Sequence, residues 1–359
     1  MKICIIFGTR PEIIKLSSTI KELESRGIDF VLIHTNQHYS KNLDEIFFDC
    51  LKLPKPKHNL NVGSGTHGQV TGRMLISIEE KLIEEKPDFV LVQGDTNSVL
   101  AGALAAVKLN IPVGHIEAGL RSFDTQMPEE TNRVMVDHIS SLLFAPTVDA
   151  INNLKNEGIS EDKILLSGNT VVDALIDHSK ISETSDILKR VNLKSGEYIL
   201  STIHRQENVD NESRLRSIFV GLEKVSEFTK LPILLPGHPR LIKMIDQFKI
   251  KPCEKIIIIE PVDYLDFIQL EKNSKIIMTD SGGIQEEACI LKVPCVTLRD
   301  NTERPETIEV GANILAGADS EKILSSVKTM IDFNKIWENP FGVGDASRKI
   351  IDAILDKLK

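Results

Sequence analysis

The sequence predicts an α/β protein that contains two doubly wound parallel sheets. Short apolar runs alternate with amphipathic segments along the chain, which is the pattern of consecutive βαβ units. The runs are continuous in valine, isoleucine and leucine, which is typical of parallel strands buried on both faces. The chain has 359 residues, more than one hydrophobic core usually holds. We therefore predict two domains, residues 1–167 and 168–344.

The first domain is predicted from six apolar runs, at 2–7, 29–35, 88–93, 111–116, 142–146 and 163–168. The segment after the first run, PEIIKLSSTIKELESRG, has the composition of a helix. Pro11 suits its first position, and Gly27 lies just past its end.

The second domain is predicted from five further runs, at 197–204, 231–237, 255–260, 275–280 and 293–298, and the pattern is weakest around 169–196. The final segment, 345–359, places five apolar residues on one helical face; they are Ile350, Ile351, Ile354, Leu355 and Leu358. The sequence leaves open which domain this helix covers, and the first domain is the candidate.

Composition excludes several classes of protein. With 43 basic and 52 acidic residues the formal charge is −9, which argues against general binding of nucleic acid or anionic membranes. No apolar run approaches the roughly 20 residues of a membrane span. The five cysteines form no C-x-x-C pair, and Cys4 and Cys295 lie within strand-like runs. We expect reduced thiols in a cytoplasmic protein.

Ligands of open α/β sheets bind at the carboxyl ends of strands, so polar residues directly after strands are candidates for a site. Arg10 stands at a helix entrance, where a phosphate is favoured. Asp95, after the third run, fits either a helix N-cap or a reacting group. The dense polar segment 114–133 contributes Glu117 and Glu129 as acid/base candidates, although Glu129 also fits a first-turn helix acid.

In the second half, histidines and arginines follow two successive strands. His204 and Arg205 come after one run and His238 after the next, so we predict an anion-binding wall. None of these histidines has H-E-x-x-H or other metal-ligand spacing. The turn after the first run, residues 7–12, is neither a G-x-G-x-x-G nor a Walker loop.

The segment TDSGGIQEEA joins a strand to a helix start. The backbone amides of Ser281, Gly282 and Gly283 would suit a diphosphate there, with a purely structural turn as the alternative. Glu287, one turn into the helix, would accept from a ribose hydroxyl. Arg304 lies in a further charged loop after the last run.

Taken together and in order, the motifs GTRPEIIKL, QGDTNSVLAGALAA, HIEAGLRS…MPEETNR, HRQEN, GHPR, TDSGGIQEEA and RPET resemble the non-hydrolysing UDP-N-acetylglucosamine 2-epimerases, over residues 7–313. The resemblance implies a glycosyltransferase-B-like fold, with two Rossmann-like domains facing across a cleft, and a homodimer. It implies interconversion of UDP-GlcNAc and UDP-ManNAc through elimination and re-addition of UDP, without NAD or metal.

The resemblance also implies residue roles. The acid/base residues would be Asp95, Glu117 and Glu129, with His204 beside the diphosphate. Lys15 and Arg10 match functional positions of the family, and the nucleotide-binding turn would comprise Ser281, Gly282, Gly283 and Glu287.

Two departures leave alternatives open. Residues 37–40 read QHYS where regulated bacterial members carry QHRE or QHRQ, so activation by a second UDP-GlcNAc is not expected. The loop between Arg121 and Glu129 is shorter than in many bacterial members. It resembles the corresponding loop of archaeal members and of relatives that act on UDP-2,3-diacetamido-glucuronate. Further alternatives are a hydrolysing epimerase, a retaining glycosyltransferase of the same fold, and a non-catalytic nucleotide-sugar sensor.

Overall fold

The chain folds into two compact units, each built on its own parallel sheet. Unit 1 comprises Met1–Asp177 and Phe341–Lys359, and unit 2 comprises His178–Pro340, whereas the sequence places the boundary at 167/168. The structure, a computed structural model, describes residues 1–36, 47–124, 126–332 and 336–359. The QHYS segment at 37–40 lies outside these described residues. The predicted α/β class with two doubly wound sheets is confirmed.

Among the described residues, unit 1 contains seven strands and unit 2 contains six. They are β1 Lys2–Phe7, β2 Asp29–His34, β3 His58–Asn59, β4 Phe89–Gln93, β5 Val113–Ile116, β6 Leu142–Ala145, β7 Ile164–Leu166, β8 Ile199–Thr202, β9 Ile233–Pro236, β10 Ile256–Ile259, β11 Ile276–Thr279, β12 Cys295–Thr297 and β13 Asn313–Leu315.

The helices that lie wholly within the described residues connect and cover these strands. They are α1 Arg10–Ser25, α2 His67–Glu85, α3 Asn97–Lys108, α4 Pro128–Ile139, α5 Val148–Asn156, α6 Thr170–Ser182, α7 Ile187–Arg190, α8 Gln206–Val209, α9 Glu212–Thr229, α10 Pro239–Gln247, α11 Tyr264–Lys272, α12 Gly282–Ile290, α13 Pro305–Glu309, α14 Ser320–Met330 and α15 Ala346–Lys357, with a 3₁₀ turn at Glu161–Lys163.

The strand order of each sheet reverses once. In unit 1 the order is β3-β2-β1-β4-β5-β6-β7, and in unit 2 it is β10-β9-β8-β11-β12-β13. The first reversal lies between β1 and β4, where Ile3 pairs with Phe89. The second lies between β8 and β11, where Ile199 pairs with Ile276. Such switch points form crevices at the carboxyl ends of strands, so the turns after these four strands are where a ligand is expected.

All eleven predicted strands overlap an observed strand, and two observed strands were not predicted. The missed strands, β3 and β13, have two and three residues. A run this short shows no measurable hydrophobic period, so sequence pattern alone does not detect it.

The apolar strand residues explain why these sheets form. In unit 1, Cys4 and Ile6 of β1 pack with Met74 and Ile78 of α2, and all four are fully buried. Burial of each such side chain contributes about 1.5–3 kcal/mol. Both faces of the sheet must therefore be covered, which is why the strand sequences do not alternate with polar residues.

The C-terminal helix α15 packs within unit 1. Ile350, Ile351 and Ile354 are fully buried. At its start the Ser347 amide donates to Asp173 Oδ1 at 2.8 Å, and the Ser347 hydroxyl lies 3.1 Å from that of Thr19 on α1. The chain thus leaves unit 1 after α6 begins and returns to complete it.

The five cysteines are free thiols, with Cys4, Cys289 and Cys295 buried. In the described part of the chain, no helix combines the length and the apolar character needed to cross a bilayer.

Candidate active site

Glu117 follows β5 directly and adopts a backbone conformation that is unusual for its residue type. Its φ is +67°, in the left-handed region that side chains with a Cβ disfavour. The side chain is 8% exposed, and its Oε1 lies 2.5 Å from Lys15 Nζ. Its Oε2 lies 3.8 Å from the position that a Cβ on Gly94 would take, so Glu117 lies close to the turn that bears Asp95. The structure therefore brings Lys15 and Glu117 together beside that turn.

Buried charged residues on β5, on α4 and in the following loop form hydrogen bonds that fix the position of the Glu117 turn. The His115 ring lies between the Gly94 carbonyl oxygen, 2.8 Å from Nε2, and Asp137 Oδ1, 2.6 Å from Nδ1. Asp137 Oδ2 accepts from the Gly119 amide at 3.1 Å and from Arg121 at 2.7 Å. Burial raises the pKa of Asp137, but the charges of His115 and Arg121 outweigh this effect and hold the pKa below its usual range. The turn is therefore fixed at both ends.

Asp95 is an ion-pair residue in this structure. Its carboxylate pairs with the Arg133 guanidinium, which also binds Glu130 at 2.9 Å, and its carbonyl oxygen accepts from the Asn132 side chain at 2.9 Å. Glu130 in turn accepts from the Ser122 amide and hydroxyl, each at 2.9 Å. These contacts link the turn after β4 to the start of α4.

Two other predicted residues of unit 1 make few contacts. Glu129, in the first turn of α4, is half-buried, and no described residue pairs with its carboxylate or hydrogen-bonds to it. Arg10 is exposed at the start of α1, with its guanidinium 5.9 Å from the centre of the Phe47 ring. Both side chains are available to a ligand.

Asp280 organises the site in unit 2. It directly follows β11, is fully buried, and accepts from the amides of His204 and Arg205, each at 3.0 Å, and from Asn208 Nδ2 at 3.1 Å. The turn after β8 is thus fastened to the turn after β11, which sets the positions of His204 and Arg205.

The two histidines of the predicted anion-binding wall differ in role. Desolvation lowers the pKa of His204, with a smaller opposing effect of Asp280 and further lowering by Arg205 and His238. His238 is exposed and caps α10, because its Nδ1 accepts from the Arg240 amide at 3.2 Å. His238 therefore serves as a helix cap through its ring nitrogen, whereas the His204 ring caps no helix.

The start of α12 already has an anionic side chain near it. The Ser281 amide donates to the Thr279 hydroxyl at 2.9 Å, whereas no described residue accepts from the amides of Gly282 or Gly283. Glu303 Oε2 lies 3.3 Å from the position that a Cβ on Gly282 would take. Of the three predicted amide donors, two therefore remain available for a ligand.

Glu303 also contacts two arginines. Arg299 binds its Oε2 at 2.6 Å, and Arg205 binds its Oε1 at 3.3 Å. Burial raises the pKa of Glu303, but Arg299 outweighs this effect and holds the pKa below its usual range. Arginines that bind a carboxylate in this way also suit a phosphate.

Glu287 and Arg304 flank the same helix. Glu287 is half-buried beside Glu271, and burial first, then Glu287, raises the pKa of Glu271 well above its usual range. Arg304 Nε lies 3.3 Å from Glu286 Oε2. Both predicted residues thus lie at α12 in unit 2.

Sequence reasoning missed the buried carboxylates Asp137 and Asp280. Asp280 carried a usable signal, because it is a charged residue at the end of an apolar strand. Asp137 carried none, since a single acid inside an amphipathic helix is ordinarily on its solvated face.

One cluster has side chains of the metal-ligating type, His58, Glu84 and Glu85. Glu85, however, already pairs with Lys57 at 2.7 Å and Lys2 at 3.2 Å, and the hydrogen bonds from Lys57, His58 and Lys2 lower its pKa to about 2. Two lysine ammonium groups occupy the carboxylate that a cation would need, so we assign no metal site there.

Comparisons with known proteins identify the family of this chain. The sequence profile of the UDP-N-acetylglucosamine 2-epimerase family matches residues 21–355. Proteins named UDP-N-acetylglucosamine 2-epimerase from Methanocaldococcus jannaschii and Methanococcus maripaludis are 57% and 56% identical, over 98% and 100% of this chain and 98% and 99% of theirs. A UDP-2,3-diacetamido-2,3-dideoxy-D-glucuronate 2-epimerase from Pseudomonas aeruginosa is 43% identical over 98% of this chain and 99% of its own.

Solved structures give the same result. The M. jannaschii UDP-GlcNAc 2-epimerase in complex with UDP-GlcNAc and UDP matches with a TM-score of 0.87 and 57% identity, covering 99% of this chain and 100% of that one. A glycosyltransferase from Rickettsia africae, with a TM-score of 0.58 and 16% identity over 100% of this chain and 98% of its own, shares the fold alone. This chain belongs to the UDP-N-acetylglucosamine 2-epimerase family.

Proposed function

We propose that this enzyme interconverts UDP-GlcNAc and UDP-ManNAc by inverting C2 of the sugar. The observation that carries the proposal is the buried carboxylate of Glu117, held in a left-handed turn with Lys15 at 2.5 Å. A base in a fixed position is what abstraction of a weakly acidic proton requires. The relatives of that name at 57% and 56% identity support this substrate over the diacetamido-glucuronate, whose enzyme is 43% identical.

The reaction is an elimination followed by an addition. A carboxylate removes the proton at C2 while the C1–O bond breaks and its electron pair leaves with UDP, which gives a glycal. UDP then adds back to C1 while a proton is delivered to the opposite face of C2. Two acid/base groups are needed, each of which can contribute roughly 10²–10⁴-fold. Asp95, Glu117 and Glu129 are the candidates.

The leaving diphosphate needs hydrogen-bond donors placed where its charge develops. In unit 2 these would be His204, Arg205 and the free amides of Gly282 and Gly283, with His238 and Arg304 nearby in the same unit. Glu287 would bind a ribose hydroxyl. In unit 1, Arg10 at the start of α1 is a further cation for phosphate. An acidic protein can thus bind a dianion through local donors.

Incubation with UDP-GlcNAc alone in D₂O tests the proposal. We expect UDP-ManNAc that carries deuterium at C2. Proton NMR would monitor the sugar, and phosphorus NMR would monitor the nucleotide. Product without solvent deuterium would contradict the elimination and indicate hydride transfer. Free ManNAc with UDP would indicate a hydrolysing epimerase, and a requirement for an acceptor would indicate a glycosyltransferase.

We also propose that the chain acts as a homodimer in the cytoplasm. The family resemblance supports the dimer, and buried free thiols such as Cys4 and Cys295 fit a reducing compartment. Light scattering coupled to size exclusion would give a mass near twice 40.0 kDa if the dimer forms, and near 40.0 kDa if it does not.

A further inference from the structure

Glu12 is a buried acid at the switch point of the first sheet, and the mechanism above gives it no role. It lies in the first turn of α1, two residues after Arg10 and three before Lys15, and is 3% exposed. A first-turn acid usually faces solvent and interacts with the helix dipole. Glu12 instead points into the protein, so its position calls for another explanation.

The Glu12 carboxyl group joins two turns that belong to different strands. Its Oε2 accepts from the Gly8 amide at 3.0 Å and from the Thr9 hydroxyl at 2.7 Å, both in the turn after β1. Its Oε1 accepts from the Thr96 hydroxyl at 2.9 Å, in the turn after β4. Thr96 is adjacent to Asp95 and caps α3. One side chain therefore links the turn that bears Arg10 to the turn that bears Asp95.

We propose that Glu12 is a positioning residue, which fastens the turns after β1 and β4 in register and must be ionised for full turnover. The inference rests on the proposed function, because it concerns the placement of Arg10, Lys15 and Asp95. Two of the three donors, the Gly8 amide and the Thr9 hydroxyl, point at one oxygen, and the third points at the other. A carboxylate accepts all three, whereas a neutral acid must use one oxygen as a donor.

Protonation changes a specific contact. Burial raises the pKa of Glu12 to about 7, although the hydrogen bonds from Thr9, Gly8 and Thr96 lower it. Oε2 already accepts from two donors and Oε1 from one, so we place the proton on Oε1, where the Thr96 hydroxyl must turn to accept it. That hydroxyl also accepts from the Val99 amide at 3.4 Å, and the link between the turns is altered at its Thr96 end.

The other titratable groups packed around these turns are a buried histidine and members of two ion pairs. Burial lowers the pKa of His34, on β2, to about 4, so its ring is neutral across the relevant range. Asp95, after β4, is paired with Arg133. Lys15, on α1 itself, is paired with Glu117, after β5.

The test compares pH profiles of kcat and KM for UDP-GlcNAc. In the wild-type enzyme we expect an acidic limb of kcat with a midpoint near pH 7. Glu12→Gln should lose this limb and show a kcat lower by about 10-fold to 10²-fold at pH 8, since small misplacements of reacting groups have effects of this size. Thr96→Val removes a hydrogen bond that favours the charged Glu12 carboxylate. The acidic limb of kcat of this variant should therefore move to higher pH. Thr96→Ser keeps the hydroxyl and should retain the wild-type profile.

Glu24→Gln is the matched control, because Glu24 is an exposed acid on the same helix. It should leave both kcat and the limb unchanged. A wild-type limb that persists unaltered in Glu12→Gln and in Thr96→Val would overturn the proposal.

A second measurement does not depend on the substrate. In urea unfolding at pH 8, Thr96→Val should lower the midpoint in the wild-type background and have a much smaller effect in the Glu12→Gln background, because the two side chains share one contact. Equal effects in both backgrounds would refute the link between the turns. Failure of the wild-type enzyme to turn over UDP-GlcNAc would instead refute the proposed function, with this cycle still deciding the role of Glu12.

Discussion

At the scale of single residues, Glu117 shows how function can be inferred from local strain. It is the only acidic residue with positive φ among those the structure describes. Asparagine or glycine would be more stable in that conformation. A carboxylate held there at a conformational cost, with Lys15 at 2.5 Å, supports the acid/base role that we propose for it.

Glu117→Gln should retain UDP binding and lose epimerisation by at least about 10²-fold, because the amide fills the same volume but cannot take a proton. Calorimetry with UDP and the NMR assay measure the two effects separately. Glu161→Gln, at an acid whose side chain is 76% exposed, is the control for loss of a carboxylate. Turnover of Glu117→Gln within a few-fold of wild type would remove Glu117 from the mechanism.

The sequence located the candidate acids of the site but not their partners. Glu117 and Asp95 could be found because each is a charged residue directly after an apolar strand. The pairing of Asp95 with Arg133 could not, since it joins residues 38 positions apart on different elements. Glu12 was within a recognised motif, but one acid in a first helical turn looks the same whether it faces solvent or the interior.

At the scale of elements, both sheets use the same device at the point where strand order reverses. Glu12 fastens the turns after β1 and β4, and Asp280 fastens those after β8 and β11. In each case a buried carboxylate accepts backbone and side-chain donors that parallel strands leave at their carboxyl ends. Unpaired donors there would carry a desolvation cost of about 1–3 kcal/mol each, so one acid stabilises two turns.

The turn after β5 provides a test at this scale. Gly119 has a φ of +81°, and a Cβ there would lie 2.2 Å from the Ala150 carbonyl oxygen. Gly158 has nearly the same φ, +82°, but nothing lies within 4 Å of its Cβ position. Gly158→Ala should therefore cost only the conformational strain of about 1–2 kcal/mol. Gly119→Ala should cost about 1–3 kcal/mol more, because the backbone must also shift.

Urea unfolding measures the two glycine variants directly. The shift at Gly119 should also displace the Glu117 turn, so kcat should fall in Gly119→Ala and remain near wild type in Gly158→Ala. Equal destabilisation of the two variants would show that the Ala150 contact relaxes freely.

At the scale of the whole molecule, unit 1 is discontinuous in sequence. Its sheet is complete by β7, yet α15, from the far end of the chain, covers α1. The sequence predicted an amphipathic helix at 345–359 and gave the first domain only as a candidate partner, because an apolar face shows only that something covers it. Which unit receives such a helix is decided by contacts such as Asp173 with Ser347, which no local pattern encodes.

Ile354→Ala tests this discontinuity. Ile354 is fully buried in α15, so its truncation should lower the free energy of unfolding of unit 1 by about 2–5 kcal/mol. Trp337 is the only tryptophan of the chain and belongs to unit 2, so its fluorescence follows unit 2 while circular dichroism follows both units. In urea, the dichroism transition of Ile354→Ala should therefore begin at lower concentration than the fluorescence transition.

Asp356→Ala is the control, at a side chain 74% exposed on the same helix. It should change the free energy of unfolding from either transition by no more than about 0.5 kcal/mol. If Ile354→Ala instead moved the tryptophan transition first, α15 would be stabilising unit 2, and its assignment to unit 1 would be wrong.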